Sequence, residues 1–121
     1  MKSEAAKREI IGFMYAERVK SALIVAGQLL DVLAGLDEKD RPGALKMLGS
    51  FVRAVGSEMR LAANIMDDPD WNALGSQLNL MEGYARLGQM ETARQELSRT
   101  LSQITTLSGR AMHTLQNLGL L

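Results

Sequence analysis

The stretch YARLGQMETARQEL, residues 84–97, decides how the rest of the chain folds. A helical segment runs into Leu87, a single glycine follows at Gly88, and a new helical segment opens at Met90. Glycine takes the left-handed backbone that ends a helix at no steric cost, so Gly88 supports a tight corner. Ala93 is small enough for the two flanking helices to approach closely. The stretch is therefore a helix–turn–helix corner. The open matter is whether it is one unit of an array or one corner of a bundle.

The corner resembles a tetratricopeptide hairpin, with Tyr84 ending the first helix, then Leu87-Gly88, then Met90, Ala93 and Leu97 in line. The resemblance covers about a fifth of the chain, and Met81 stands where that repeat has a small residue. Repeat arrays need about three copies to be stable, and no second copy follows at the expected ~34-residue period. The stretch is read as the corner between the third and fourth helices of a bundle.

Outward from that corner, two prolines mark further helix starts. In LDEKDRPGAL, Asp40 is placed to cap and Pro42 lies in the first turn; in MDDPDW, Asp68 is placed to cap and Pro69 takes the first helical position. Proline is tolerated there because the first-turn N–H groups have no intrahelical acceptor. The sequence thus predicts four helices, over residues 3–35, 42–66, 69–87 and 90–117, and no strand. The short corners force an up-down-up-down antiparallel four-helix bundle, an all-α fold in one domain spanning residues 1–121.

Each segment has helical periodicity. The second helix carries Leu45, Leu48, Val52, Val55, Met59, Ala62 and Met66 at alternating steps of three and four, a coiled-coil-like seam. The third carries Trp71, Leu74, Leu78, Met81 and Ala85, and the fourth Ala93, Leu97, Ile104, Leu107, Ala111, Leu115 and Leu118. The first helix has two adjoining seams: Ala22, Val25, Leu29, Val32, Leu36, and Val19, Leu23, Ala26, Leu30, Leu33. That width suits contact with two neighbours. Gly119 is placed to end the last helix, leaving Leu120 and Leu121 to fold back or dock elsewhere.

Composition excludes several functions. Fourteen basic residues balance fourteen acidic ones, which weakens the case for a general binder of nucleic acid or anionic membrane. With no cysteine there is no disulfide, thiolate metal site or cysteine nucleophile, in keeping with a cytoplasmic protein. The most apolar run, residues 22–36, is broken by Gln28 and Asp31 and falls short of the ~20 residues of a membrane span. The opening residues mix both charges, unlike a secretory signal.

Chemistry-bearing patterns are incomplete. Asp68, Asp70 and Asn72 match the first ligand positions of a calcium loop, but Ala73 replaces the needed glycine and Asn79 the closing glutamate. A helix-capping turn explains the same residues. His113 is the sole histidine, so a di-metal Glu-x-x-His bundle is excluded. The clustered acids Asp37, Glu38, Asp40 and Asp67, Asp68, Asp70 sit at helix corners, where capping and dipole roles suffice. No catalytic set, metal or cofactor is expected, and the chain is read as a non-enzyme.

The second helix is the distinctive element. Gly49, Gly56 and Ala63 recur at seven-residue spacing, a track for close helix packing. Met47, Ala54 and Leu61, with Phe51 and Ile65, make the helix apolar nearly all round. Such a helix calls for cover on every side. Those five residues are the expected partner-binding surface, and a homodimer is the simplest cover. The eight methionines suit a surface that adapts to partners. The expected function is a protein–protein interaction module, adaptor or export-chaperone-like, by similarity to small helical secretion and flagellar export chaperones. The alternative is a nucleic-acid-associated small subunit using basic stripes: Lys46, Arg53 and Arg60 on the second helix, Arg99 and Arg110 on the fourth, Lys7 and Arg18 on the first.

Overall fold

The computed structural model describes residues 2–120. It contains α1 (Lys2–Ala34), α2 (Arg41–Met66), α3 (Pro69–Arg86) and α4 (Met90–Asn117). Each helix packs on the next, and α4 closes the ring on α1. This is the antiparallel four-helix bundle expected from the sequence, with helix ends within a residue of the expected ones.

The corner at Gly88 owes its form to hydrogen bonds. Gly88 lies at φ +76°, its N–H donates to the Ala85 carbonyl at 3.0 Å, and the Gln89 N–H donates to the Tyr84 carbonyl at 2.9 Å. These two bonds are the Schellman pattern, which satisfies the last carbonyls of α3 as the chain reverses. Gly119 repeats it at the end of α4, with Leu120 bonded to the Leu115 carbonyl at 2.9 Å. Leu120 is exposed, and Leu121 lies outside the described residues.

The α2–α3 corner has only Asp67 and Asp68 between its helices. Asp67 takes the left-handed conformation and donates its N–H to the Ala63 carbonyl. Asp68 is extended, and its carboxylate accepts the Asp70 N–H at 2.9 Å, as the capping reading requires. Asp40 behaves otherwise. Its backbone is helical (φ −93°, ψ −16°), so its side chain makes no cap; the turn closed by Asp40 N–H on the Asp37 carbonyl leads into α2 instead.

The core lies along the bundle axis. Val19, Leu23, Leu30, Val52, Met59, Leu74, Leu78, Met81 and Ile104 are fully buried. Thr100 joins them between Leu97 and Ile104, its hydroxyl donating to the Glu96 carbonyl at 2.9 Å. Polar straps tie three of the four helix pairs. Arg94 meets Asp31 at 3.0 Å across α4–α1, Arg110 meets Asp70 at 3.0 Å across α4–α3, and Arg18 meets Glu58 across α1–α2. A further strap runs from Ser108 to Glu17, whose carboxyl is held below its ordinary value mainly by the Lys20 hydrogen bond, with Ser108 adding to it.

Substituting Gly88→Ala places a Cβ in the left-handed region and should cost about 1–2 kcal/mol. Gly88→Asn should cost less, because asparagine tolerates that region. Urea unfolding at constant m checks both; equal stabilities for all three chains would contradict the corner described here.

Candidate interaction surface

The outward side of α2 carries Met47, Phe51, Ala54, Leu61 and Ile65, spaced by threes and fours once Glu58 is counted in the series. Met47 is 76% exposed and Leu61 52%, Ala54 and Ile65 are exposed, and Phe51 is half-buried against the core. Glu58 fixes which way this series points, because its carboxylate holds Arg18 of α1. The series therefore runs along the flank of α2 that adjoins α1.

On α1 the same logic starts from Arg18. Stepping back by four and three reaches Met14 and Ile11; stepping forward by seven, four and three reaches Val25, Leu29 and Val32. All five are exposed, Val32 at 60%. They share the helix flank that Arg18 presents to α2, since steps of three, four and seven return to one side of a helix. Two apolar stripes thus run side by side and antiparallel, one on each helix. The Arg18–Glu58 pair is the only charged pair among them, and the Arg18 guanidinium also lies 5.8 Å from the Tyr15 ring centre.

The α1 half of this surface departs from the sequence expectation. Both seams of the first helix were expected to touch neighbours. Instead Val19, Leu23, Ala26, Leu30 and Leu33 fill the core, while Val25, Leu29 and Val32 face outward, with Ala22 and Leu36 half-buried. In a ring of four helices only one stripe per helix meets the axis, so the second seam is left over. The duplicate seam was itself the signal for a surface.

The basic stripe lies on the other flank of α2. Lys46, Arg53 and Arg60 edge the α2–α3 side, where a groove of about 640 Å³ is lined by Arg53, Gly56, Arg60, Asn72, Gly75 and Asn79, with Trp71 and Met59 beneath. Arg53 and Arg60 donate to Ser50 and Ser57 on their own helix. Among the described residues no carboxylate pairs with Lys46, Arg53 or Arg60. The remaining arginines of the nucleic-acid set are differently placed: Arg99 pairs with Glu96 at 2.9 Å and Arg110 with Asp70 at 3.0 Å, both on α4, diagonally across the ring from α2. Arg18 is matched by Glu58. The basic stripes do not merge into one positive face.

The track of small residues meets three environments. A Cβ on Gly49 would lie 2.8 Å from Glu82 Oε1, a carboxylate that is buried and paired with Arg86. At Gly56 the nearest atom is Arg60 Nη1 at 3.6 Å, on the open groove. Ala63 is buried in the core.

His113 is exposed, and no cluster of three metal-ligating side chains occurs among the described residues. None of the described helices is long and apolar enough to cross a membrane. Comparison with known proteins finds no matching family, no matching curated protein and no matching solved structure.

Gly56→Ala should raise stability by up to about 1 kcal/mol, the helix-propensity gain of alanine over glycine. Gly49→Ala should gain less, because the Glu82 carboxylate has to move from its place beside Arg86. Equal gains in urea unfolding would mean that Glu82 is not held against Gly49.

Proposed function

We infer that the chain is a non-enzymatic protein-interaction module, an adaptor or export-chaperone-like protein of the cytoplasm, that binds through the apolar face shared by α1 and α2. One observation carries this reading: two neighbouring helices expose apolar stripes in the same direction, with Val32, Met47 and Leu61 each more than half exposed. Scattered apolar residues are ordinary on a protein surface, but contiguous patches mark interaction sites. Exposed methionines at Met14 and Met47 suit such a face, since the flexible thioether adapts to different partner shapes. The partner surface that fits is an amphipathic helix or helix pair, laying its own stripe along the α1–α2 flank.

A second reading is favoured by the three unmatched cations. Arg53 and Arg60 on the α2–α3 groove, with Lys46 on the neighbouring pocket beside Arg86, would serve a nucleic-acid-associated subunit. That reading predicts binding that weakens steeply with salt, as each phosphate contact releases counterions.

Leu61→Asp and the triple neutralisation of Lys46, Arg53 and Arg60 separate the two. Leu61 is exposed, so its substitution should change folding stability by no more than about 0.5 kcal/mol. It should weaken capture of protein partners about tenfold or more, as at interface hot spots. The triple variant should leave capture unchanged. Salt-sensitive binding to single- or double-stranded nucleic acid that disappears in the triple variant, with no effect of Leu61→Asp on any partner, would transfer the assignment to the second reading.

A further inference from the structure

We propose that the occupant of the α1–α2 face is a second copy of this chain, related by a two-fold axis parallel to the helices, so that Arg18 of each copy meets Glu58 of the other. The inference rests on the reading of this face as protein-binding and names its partner.

The geometry of the one charged pair selects the symmetry. Arg18 and Glu58 stand at the same height on antiparallel neighbours. A two-fold axis running between α1 and α2 along their length lays α1 of one copy on α2 of the other and preserves height. Arg18 then faces Glu58 across the interface in both directions, and the four charges alternate in sign around a square. A two-fold axis running across the helices stacks α1 on α1 and α2 on α2. When the two copies are in register it sets Arg18 against Arg18 and Glu58 against Glu58. Like charges face to face disfavour that mode, so the charged pair acts as a register pin.

The apolar stripes are self-complementary in the favoured arrangement. Moving along α1 from Arg18 is matched by moving back along α2 from Glu58. Val25 and Leu29 of one copy therefore come to the height of Phe51 and Met47 of the other. Toward the opposite end, Ile11 and Met14 come to the height of Ile65 and Leu61. Steps of three and four, with one step of seven on α1 from Arg18 to Val25, are the spacing that lets helices interlock. An interface of this kind contacts the same patch on both copies, as a two-fold requires.

The size is adequate. From Ile11 to Val32 the face is roughly 30 Å long at 1.5 Å per residue, and two helices make it roughly 20 Å wide. Its projected area, about 600 Å² before side-chain relief is counted, is on the scale of the roughly 800 Å² per partner found in stable complexes. In one copy Arg18 is 62% exposed and Glu58 33%, so the second copy supplies each of them with a further partner and shields the pair from water.

Sedimentation equilibrium of the purified full chain tests this. The wild type should be a dimer at tens of micromolar. Arg18→Glu and Glu58→Arg should each raise the dissociation constant at least tenfold, because all four charges then share one sign. Circular dichroism should show both variants as helical as the wild type. The double variant Arg18→Glu/Glu58→Arg should dimerise again, and an equimolar mixture of the two single variants should form a mixed dimer. The double variant keeps the test valid if a single variant folds poorly. A monomeric wild type at several hundred micromolar overturns the inference, as does a dimer indifferent to both single changes. A double variant that stays monomeric overturns the proposed axis. None of these outcomes touches the broader reading, which falls separately if Leu61→Asp leaves every captured protein bound as before.

Discussion

A helix in a ring of four can turn only one stripe toward the axis, and α1 carries two. That constraint governs the surface as much as the core. Once Val19, Leu23, Ala26, Leu30 and Leu33 occupy the axis, Val25, Leu29 and Val32 are rotated out of it and lie beside α2. The outward series of α2 is left over for the same reason, because Leu48, Val52, Val55, Met59 and Ala62 already meet the core. The two surpluses adjoin because α1 and α2 are neighbours, and Arg18–Glu58 fixes their relative height. Association of such a face would bury apolar area on both partners, but buried area does not convert directly into affinity, because roughly 4–15 kcal/mol of translational and rotational freedom is lost and side chains must be ordered. In the proposed dimer it is therefore the charged pair, and not area, that selects the geometry.

The interior contains polar groups that tighten the ring without interrupting it. Glu82 and Glu96 are buried, yet each reaches an arginine one turn along its own helix, Arg86 and Arg99, whose charged heads remain exposed. Thr100 donates to its own helix and stands 3.2 Å from Gln77 on α3. Every buried side-chain nitrogen and oxygen among the described residues has a hydrogen-bond partner. An unmade bond inside would cost about 1–3 kcal/mol, so full satisfaction is a condition for stability in a bundle of this size. The α2–α3 pair is the exception in style. No side-chain hydrogen bond or ion pair links those helices among the described residues, and glycines at positions 56 and 75 leave their outer edge open as a groove.

Most of the fold was legible because it is local. Proline after aspartate, glycine at a helix end and periods of three and four depend on neighbours in sequence, and the four helices and the Gly88 corner follow from them. Asp40 shows the limit: its type and position suit a cap, but the preceding turn gives it a helical backbone that aims its side chain elsewhere. The candidate site was half legible. Met47, Ala54, Leu61 and Ile65 stood out as apolar residues beyond the needs of one seam. The α1 half did not, because periodicity reveals that two seams exist and says nothing of which one points inward. That choice belongs to the ring as a whole. Gly49 and Gly56 share a spacing but not a role for a similar reason, since only the approach of α3 brings Glu82 to one of them.

The two flanks of α2 bring the functional question to a physical one. Lys46, Arg53 and Arg60 precede Met47, Ala54 and Leu61 by a single residue each, so a basic stripe and an apolar stripe run along one helix about 100° apart. Water treats them differently. A solvated guanidinium or ammonium has no need of a partner, and surface ion pairs contribute only about 0–1 kcal/mol when they form. Exposed methionine and leucine carry a standing cost that any fitting apolar surface removes. The stripes also differ in what continues them. Across the α2–α3 side the basic one meets the uncharged Asn72, Ser76 and Asn79 beside Arg53 and Arg60, and beside Lys46 and Arg53 it meets Arg86, whose charge is matched by Glu82; the other cations of the set lie on α1 and α4. The apolar stripe is extended at once by five exposed apolar residues of α1. Continuity across two helices is the ground on which the protein-binding reading is proposed, and on α2 the apolar flank has it without a matching group to satisfy it.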